Sequence, residues 1–268
     1  MRKKIFLWLI LVAMLIFLIV LSHFSFKNIV TKSITSKCSD SYVKFYEQNQ
    51  ETVFSINKIV YFSGASGEAN LNPNSSFTVS NLFQYTDIAI FINNNSENNI
   101  TAKNTLKKVT ISNIKFELPP SVGTPALYYK NLNDFATNNF DTNNLINESL
   151  EFSTSSEDEI DYSQPVLYNN SANPITLCYV NSNIKPNYTL PAGTSNISYD
   201  GKLLKDCNVT LNSIACKVSF LITIENYLDE IYTCPVIIDI PLSTESTTIY
   251  DGSLRLDDAT NYNFIKTN

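Results

Sequence analysis

The chain has 268 residues, of which 44% are hydrophobic, 12% aromatic and only 16% charged, a composition that excludes wholesale disorder. Its formal net charge of -6 and the lack of a clustered basic face exclude nucleic acid as a partner. The single histidine, His23, lies near the N-terminus, so a Ser/His or Cys/His nucleophile pair is excluded from the rest of the chain.

The N-terminus predicts a membrane anchor. Residues 5–22 are interpreted as a transmembrane signal anchor, because their apolar run would be about 26 Å long as a helix, close to the hydrocarbon thickness of about 30 Å. Basic residues precede the run, so residues 1–4 form a cytoplasmic stub and the remainder lies outside the membrane. A cleaved signal peptide is the alternative, but bulky Phe24 and Phe26 stand where the peptidase requires small residues.

The remainder predicts an all-β ectodomain behind that single N-terminal helix. Residues 23–52 are interpreted as a juxtamembrane stalk and residues 53–268 as an extracytoplasmic β-sandwich of immunoglobulin-like or jelly-roll type. No window in it carries a sustained helical stripe. Alternating or short apolar runs predict strands at residues 55–62, 86–92, 106–111, 114–118, 126–130, 165–168, 175–180 and 197–204.

Local signals refine this pattern in two places. Residues 64–68, which carry two glycines, are interpreted as a flexible loop. The alternation changes phase at Ser112 and Asn113, which predicts a bulge or a bend between two strand segments.

A division of the ectodomain into two lobes is an open alternative. The stretches IAIFINNNSENNIT and PVLYNNSANPITL each read as an apolar strand, an Asn-rich turn and a return into Ile-Thr. In a chain so rich in Asn the similarity is better explained as two hairpins of similar composition. If two lobes exist, their boundary falls near residues 153–164, where acidic residues accumulate and apolar residues become scarce.

The strongest strand signal lies in the second half of the sequence. Residues 213–225 and 232–240 alternate apolar and polar side chains on either side of a polar turn, which predicts a β-hairpin.

Four cysteines in the second half, Cys178, Cys207, Cys216 and Cys234, are disulfide candidates in an oxidising exterior. They can pair in three ways, and the stretch CNVTLNSIAC reads as a hairpin that would bring Cys207 close to Cys216. Free buried thiols are the main alternative. A metal site is the weakest reading, because metal-ligand spacing is lacking, and no cofactor is predicted.

These observations predict a single-pass cell-membrane protein with a non-catalytic binding or structural role at the cell envelope. The expected contacts are the membrane, through the N-terminal helix, and envelope proteins or wall glycan, through edge strands and loops. One alternative is an accessory subunit of an envelope or secretion complex. Another is a carbohydrate-active enzyme with paired carboxylates, which would require two acidic side chains facing each other in a groove.

Overall fold

Two β-sheets pack face to face as a sandwich-like body. The computed structural model describes residues 53–95, 100–154, 165–167, 173–191, 193–194, 196–259 and 262–267. The predicted stub, anchor and stalk at residues 1–52 lie outside these ranges, as does most of the segment 153–164. In the described ranges, no helix is both long enough and apolar enough to cross a membrane.

Within the described residues, each sheet has six strands. Sheet A contains β1 (Phe54–Leu71), β2 (Phe77–Asn94), β4 (Thr124–Tyr129), β7 (Ile175–Thr189), β10 (Leu254–Asp258) and β11 (Tyr262–Asn263). Sheet B contains β3 (Leu106–Leu118), β5 (Ser149–Thr154), β6 (Val166–Leu167), β8 (Cys216–Asn226), β9 (Ile231–Ile240) and β12 (Ile265–Lys266). Short helical segments in the connections are α1 (Lys202–Asp206) and the 3-10 turns Leu132–Asp134, Thr142–Asn144, Leu211–Ser213 and Ile249–Asp251.

The strand order combines both halves of the sequence. Sheet A runs β10-β1-β2-β7-β4, with β11 beside β1, and sheet B runs β12-β9-β8-β3-β5-β6. Neighbouring strands are antiparallel except β5 and β6, which are parallel. Strands from before and after residues 153–164 therefore pair with each other within each sheet.

The main core lies between the two sheets. The hairpin of β8 and β9 contributes one buried face, which confirms the alternation in the sequence; its members are Val218, Phe220, Ile222, Ile224, Tyr232, Cys234, Val236 and Ile238. Sheet A contributes Ile88 and Ile90 from β2 and Leu177 and Tyr179 from β7. A second core cluster lies beneath α1, where Leu203 and Leu204 are fully buried.

The irregularity predicted near Ser112 is confirmed. Residues 106–111 and 114–118 form one strand, β3, whose register against β8 shifts between Ser112 and Lys115. Asn113 has a φ of 54°, a left-handed conformation that Asn adopts more readily than most residues. The extra residue changes which face each side chain occupies, as the phase change indicated.

Two local predictions were wrong. Residues 64–68 lie inside β1 rather than in a loop, because they pair with residues 80–85 of β2. Gly64 leaves space for Tyr85 there, since a Cβ at residue 64 would lie 2.7 Å from the Tyr85 hydroxyl oxygen. The strand predicted at residues 197–204 is replaced by α1, which begins after Gly201. Its Leu203 and Leu204 are adjacent residues of one helical turn, and both point into the second core. A short apolar run of this kind looks the same in sequence at the end of a strand, so the pattern could not identify the helix.

Candidate functional site

One side of the sandwich, between β9 and β10, is open over part of its length. The C-terminal segment closes one end, because β11 pairs with Ser55 and Ile56 of β1 while β12 pairs with Tyr232 and Thr233 of β9. Beyond that point lies a cleft of about 450 Å³, named here the open cleft. The residues that line it are Tyr61, Ile237, Ile238, Asp239, Pro241, Leu242, Ser243, Leu256, Asp257, Asp258 and Tyr262.

The backbone of β9 has a free edge at the open cleft. Thr267 N–H donates to Ile231 C=O over 2.8 Å, so the backbone groups of Ile231 point away from β8. Because successive residues of a strand point their backbone groups to alternate sides, the other odd-numbered residues of β9 do the same. Farther along the same edge, Ile237 and Asp239 have no backbone partner on that side within the described residues. Pro235 fits this edge, because its missing N–H faces outward rather than towards β8. The edge therefore offers two N–H and two C=O groups for pairing.

The open cleft is acidic at its rim and apolar at its floor. Asp239, Asp257 and Asp258 line it, and none of the described lining residues is basic. Asp239 lies 3.2 Å from Lys217 Nζ and Asp257 lies 3.1 Å from Arg255 Nε, but both are solvent-exposed ion pairs, which contribute about 0–1 kcal/mol. Neither pair therefore contributes much to holding its carboxylate against a cationic ligand.

The three carboxylates do not form a facing pair. Asp239 and Asp257 occupy exposed positions that alternate with buried ones, so they lie on the outer faces of sheet B and sheet A. Asp258 is on the inward side of β10, where its charge adds to burial in raising the pKa of Tyr61. Hydrolysis of a glycosidic bond by two carboxyl groups requires them to approach the same bond from opposite sides. The alternation of β9 and β10 directs Asp239 and Asp257 away from each other.

The closed end is held by a polar cluster around Glu230. Its carboxylate accepts hydrogen bonds from Lys266 Nζ on β12, from Asn226 Nδ2 and from the Tyr232 hydroxyl, the last two at 2.8 Å. These three donors, Lys266 first, lower the pKa of Glu230 to about 2. The cluster therefore fastens the C-terminal segment to β9 through an ionised carboxylate.

We expect this cluster to make the fold acid-sensitive. Because the folded-state pKa of Glu230 lies below its ordinary value of 4.5, its stabilising effect is complete above pH 4.5 and is lost as the pH falls towards 2. Glu230→Gln removes the titrating group. When the pH is lowered from 5 to about 3, the unfolding temperature of this variant should therefore fall less than that of the native chain. Thermal unfolding followed by circular dichroism measures both slopes. Glu148→Gln, at an exposed position, is the control; a native slope in Glu230→Gln would contradict the prediction.

A buried charged cluster lies on the outer face of sheet A. Asp87 and Lys130 form an ion pair with Nζ 2.8 Å from Oδ1, and their side chains are 0% and 1% exposed. In the strand predicted at residues 86–92, Asp87 alternates with Ile88 and so lies on the opposite face from it. The connection after β4 covers that face: Ala136 N–H donates to Asp87 Oδ2 over 2.8 Å, and Lys130 Nζ donates to Thr137 C=O over 2.7 Å.

Apolar and aromatic groups surround this pair. The ring of Tyr85 lies 5.4 Å from Lys130 Nζ, and Phe140 packs against Phe83 and Tyr128 close by. Burial raises the pKa of Asp87 above its ordinary value, and the charge of Lys130 offsets part of that effect. The pair thus lies in a region with little access for water.

The four disulfide candidates are free, buried thiols in the structure. The stretch from Cys207 to Cys216 is not a hairpin, because Cys207 ends α1 and the 3-10 turn Leu211–Ser213 follows it. Cys216 pairs with Ile240 whereas Cys234 pairs with Ile222, six positions along β8, which is about 20 Å and too far for a disulfide.

The environments of these thiols are unreactive. Burial raises the pKa of Cys207 to about 11 and that of Cys234 to about 12, and it also raises the pKa of Cys178 and Cys216. A protonated thiol is a poor nucleophile and a poor metal ligand. The described residues contain no group of three or more His, Cys, Asp or Glu side chains suited to hold a metal ion.

Comparisons of the chain with family models, with curated proteins and with solved structures find no match. Function is therefore inferred from the open cleft and the buried charged cluster themselves. Sequence reasoning identified β9 through its alternation but missed both sites. A lone charged residue inside the apolar run at residues 86–92 was the available signal for the buried cluster.

Proposed function

We propose that this protein is a membrane-anchored, extracytoplasmic β-sandwich that binds an extended, basic segment of an envelope protein by strand addition along β9. The role is binding rather than catalysis. The observation that carries the proposal is the free backbone edge at Ile237 and Asp239 beside an acidic cleft. Anchoring is supported by the apolar run at residues 5–22.

The chemistry of the cleft supports an extended peptide as the occupant. Added strands gain affinity from main-chain hydrogen bonds and specificity from pockets that receive alternate side chains. Here the floor formed by Ile238, Leu242 and Leu256 would receive apolar side chains, and the rim formed by Asp239 and Asp257 would receive basic ones. A segment that alternates apolar and basic residues satisfies both requirements.

An immunoglobulin-like arrangement is the form of sandwich that we propose. In constant-type immunoglobulin domains one sheet has the order ABED and the other contains C, F and G. If β1, β2, β3, β4, β7, β8 and β9 are taken as strands A to G, sheet A has the order ABED and sheet B the order GFC. On this reading β10 extends the first sheet beside A, and β5 and β6 extend the second beside C.

A peptide-binding experiment tests the proposal. Two fluorescein-labelled heptapeptides serve as probes, one of alternating Lys and Val and one of alternating Glu and Val, and anisotropy is measured on the full-length chain in mild detergent. The Lys peptide should bind and the Glu peptide should not. Ile237→Pro removes one outward N–H and its hydrogen bond to the bound peptide, so the affinity of this variant for the Lys peptide should fall at least about fivefold. Ile237→Ala keeps that N–H and should bind the Lys peptide nearly as the native chain does.

Other results would overturn the proposal. Equal affinity of the native chain and Ile237→Pro would mean that the edge of β9 is not used. Saturable retention on wall glycan with no peptide binding would favour a glycan-binding surface protein. Failure to bind either peptide or glycan would favour the accessory-subunit alternative, in which the N-terminal helix meets the partner.

A further inference from the structure

We propose that Lys130 and Asp87 condense to an intramolecular isopeptide bond, which joins β2 covalently to the segment that follows β4. The first observation is the contact itself. Lys130 Nζ lies 2.8 Å from Asp87 Oδ1, with both side chains almost completely buried. An amine held next to a carboxyl group reacts as if at very high concentration, with effective molarities that reach about 10⁵–10⁸ M in well-oriented pairs.

Burial also moves the equilibrium towards the amide. In water an ammonium and a carboxylate are each strongly solvated, which favours the separated ions over an amide and a water molecule. At this buried position beside the Tyr85 ring the ions lose most of that solvation, whereas a neutral amide loses much less. The burial that raises the pKa of Asp87 acts in the same direction, because it favours the neutral acid, which is the electrophilic form.

Backbone groups hold both reactants. Ala136 N–H, 2.8 Å from Asp87 Oδ2, can stabilise the negative charge that develops on that oxygen during attack. Ala136 has a φ of 64°, a left-handed conformation that is unfavourable for alanine and that the connection after β4 maintains. Thr137 C=O, 2.7 Å from Lys130 Nζ, accepts a hydrogen bond that the amide N–H can retain in the product.

The reaction balances within the pair. A proton passes from Nζ to Oδ1, which converts the ion pair into an amine and a carboxylic acid. The Nζ lone pair attacks Cγ and forms the C–N bond. A second proton passes from Nζ to Oδ1, the Cγ–Oδ1 bond breaks and one water molecule leaves. No oxidant, reductant or other co-reactant is needed, and the carbonyl of the product remains on Oδ2 beside Ala136 N–H.

Peptide mapping of the denatured full-length chain tests the bond. Trypsin cuts after Lys and Arg, so Asp87 falls in the peptide 59–103 and Lys130 ends the peptide 116–130. Trypsin does not cut after a Lys130 in amide linkage, so the peptide that begins at residue 116 continues to the next cleavable lysine. Lys185 precedes a proline and is not cut, so that peptide should end at residue 202. Mass spectrometry should then find peptides 59–103 and 116–202 joined, lighter by one water molecule than their sum. Lys130→Arg, which keeps the positive charge, should abolish the joined species.

An internal control separates burial from proximity. Lys107 lies 2.6 Å from Asp229 Oδ1, closer than the buried pair, but both side chains are well exposed to solvent. That pair should give only unlinked peptides. Recovery of peptides 59–103 and 116–130 at their encoded masses, with no joined species, would overturn the proposal. Linkage at Lys107 equal to that at Lys130 would overturn it too, because burial would then not be the cause.

Discussion

Replacing Lys130 with methionine is expected to lower the free energy of unfolding by at least about 3–5 kcal/mol, because it leaves the Asp87 carboxylate buried without the partner that it has in both the ion pair and the amide. Methionine fills similar space, so the loss does not come from a cavity. Chemical denaturation of the native chain and the variant at pH 7 measures the difference. A change of less than about 1 kcal/mol, the range of exposed ion pairs, would contradict the prediction.

Matched variants identify the cause of that loss. Lys107→Met removes a lysine whose side chain is 41% exposed to solvent, and it should destabilise the fold far less than Lys130→Met does. The double variant Asp87→Leu/Lys130→Met removes both buried charges and should be more stable than Lys130→Met, since apolar residues can replace a buried ion pair. If the double variant were less stable than the single one, the uncompensated carboxylate would not be the cause.

The pH dependence of Lys130→Met has a definite sign. Burial already raises the folded-state pKa of Asp87 above its ordinary value of 3.8, and removal of Lys130 deletes the charge that opposes this effect. A carboxyl group with a raised folded-state pKa favours the fold at low pH and loses that contribution as the pH rises through the folded-state pKa. The deficit of the variant relative to the native chain should therefore shrink as the pH is lowered from 7 towards 4.

Much of the β architecture was predictable from side-chain alternation, but its extent was not. The hairpin of β8 and β9 has one buried face and one exposed face, so its period of two is visible in the sequence. The strand β2 runs from Phe77 to Asn94 and is buried on both faces from Tyr85 to Ile90, whereas the alternation at residues 86–92 predicts only one buried face. Polar residues that pair within the sheet, such as Ser63 with Thr86 at 2.8 Å, made these long strands resemble loops.

Neither candidate site was predictable, because each depends on contacts between distant parts of the chain. Asp87 and Lys130 are 43 residues apart, and their pairing requires the connection after β4 to cover sheet A. The open cleft requires β9 and β10 to lie on the same side of the sandwich, while the described part of the C-terminal segment pairs with β9 only at residues 231–233. Sequence patterns specify which residues face inward along one strand, but not which edge strands remain unpaired.

The closed end of the open cleft depends on Phe54, and Phe54→Ala is expected to lower the free energy of unfolding by about 3–5 kcal/mol. Its side chain is 0% exposed, and its ring meets that of Tyr232 on β9 edge to face, with centroids 5.3 Å apart. Truncation would leave a cavity between the two sheets. Chemical denaturation measures the loss. Phe54→Leu refills most of the volume, so it should lower the free energy of unfolding by less. Phe62→Ala, at a half-buried position, is the control for an aromatic ring outside the main core.

Phe54 also joins the C-terminal segment to the sandwich, so the variant should show a local effect before global unfolding. Phe264 N–H donates to Phe54 C=O over 3.2 Å, and Thr267 N–H donates to β9 at Ile231. If loss of the Phe54 ring lets β1 and β9 separate at this end, the amides of Phe264 and Thr267 should exchange hydrogen faster than those of β8. Equal loss of protection in both places would mean that Phe54 supports the whole core and that the closed end is not a separate unit of stability.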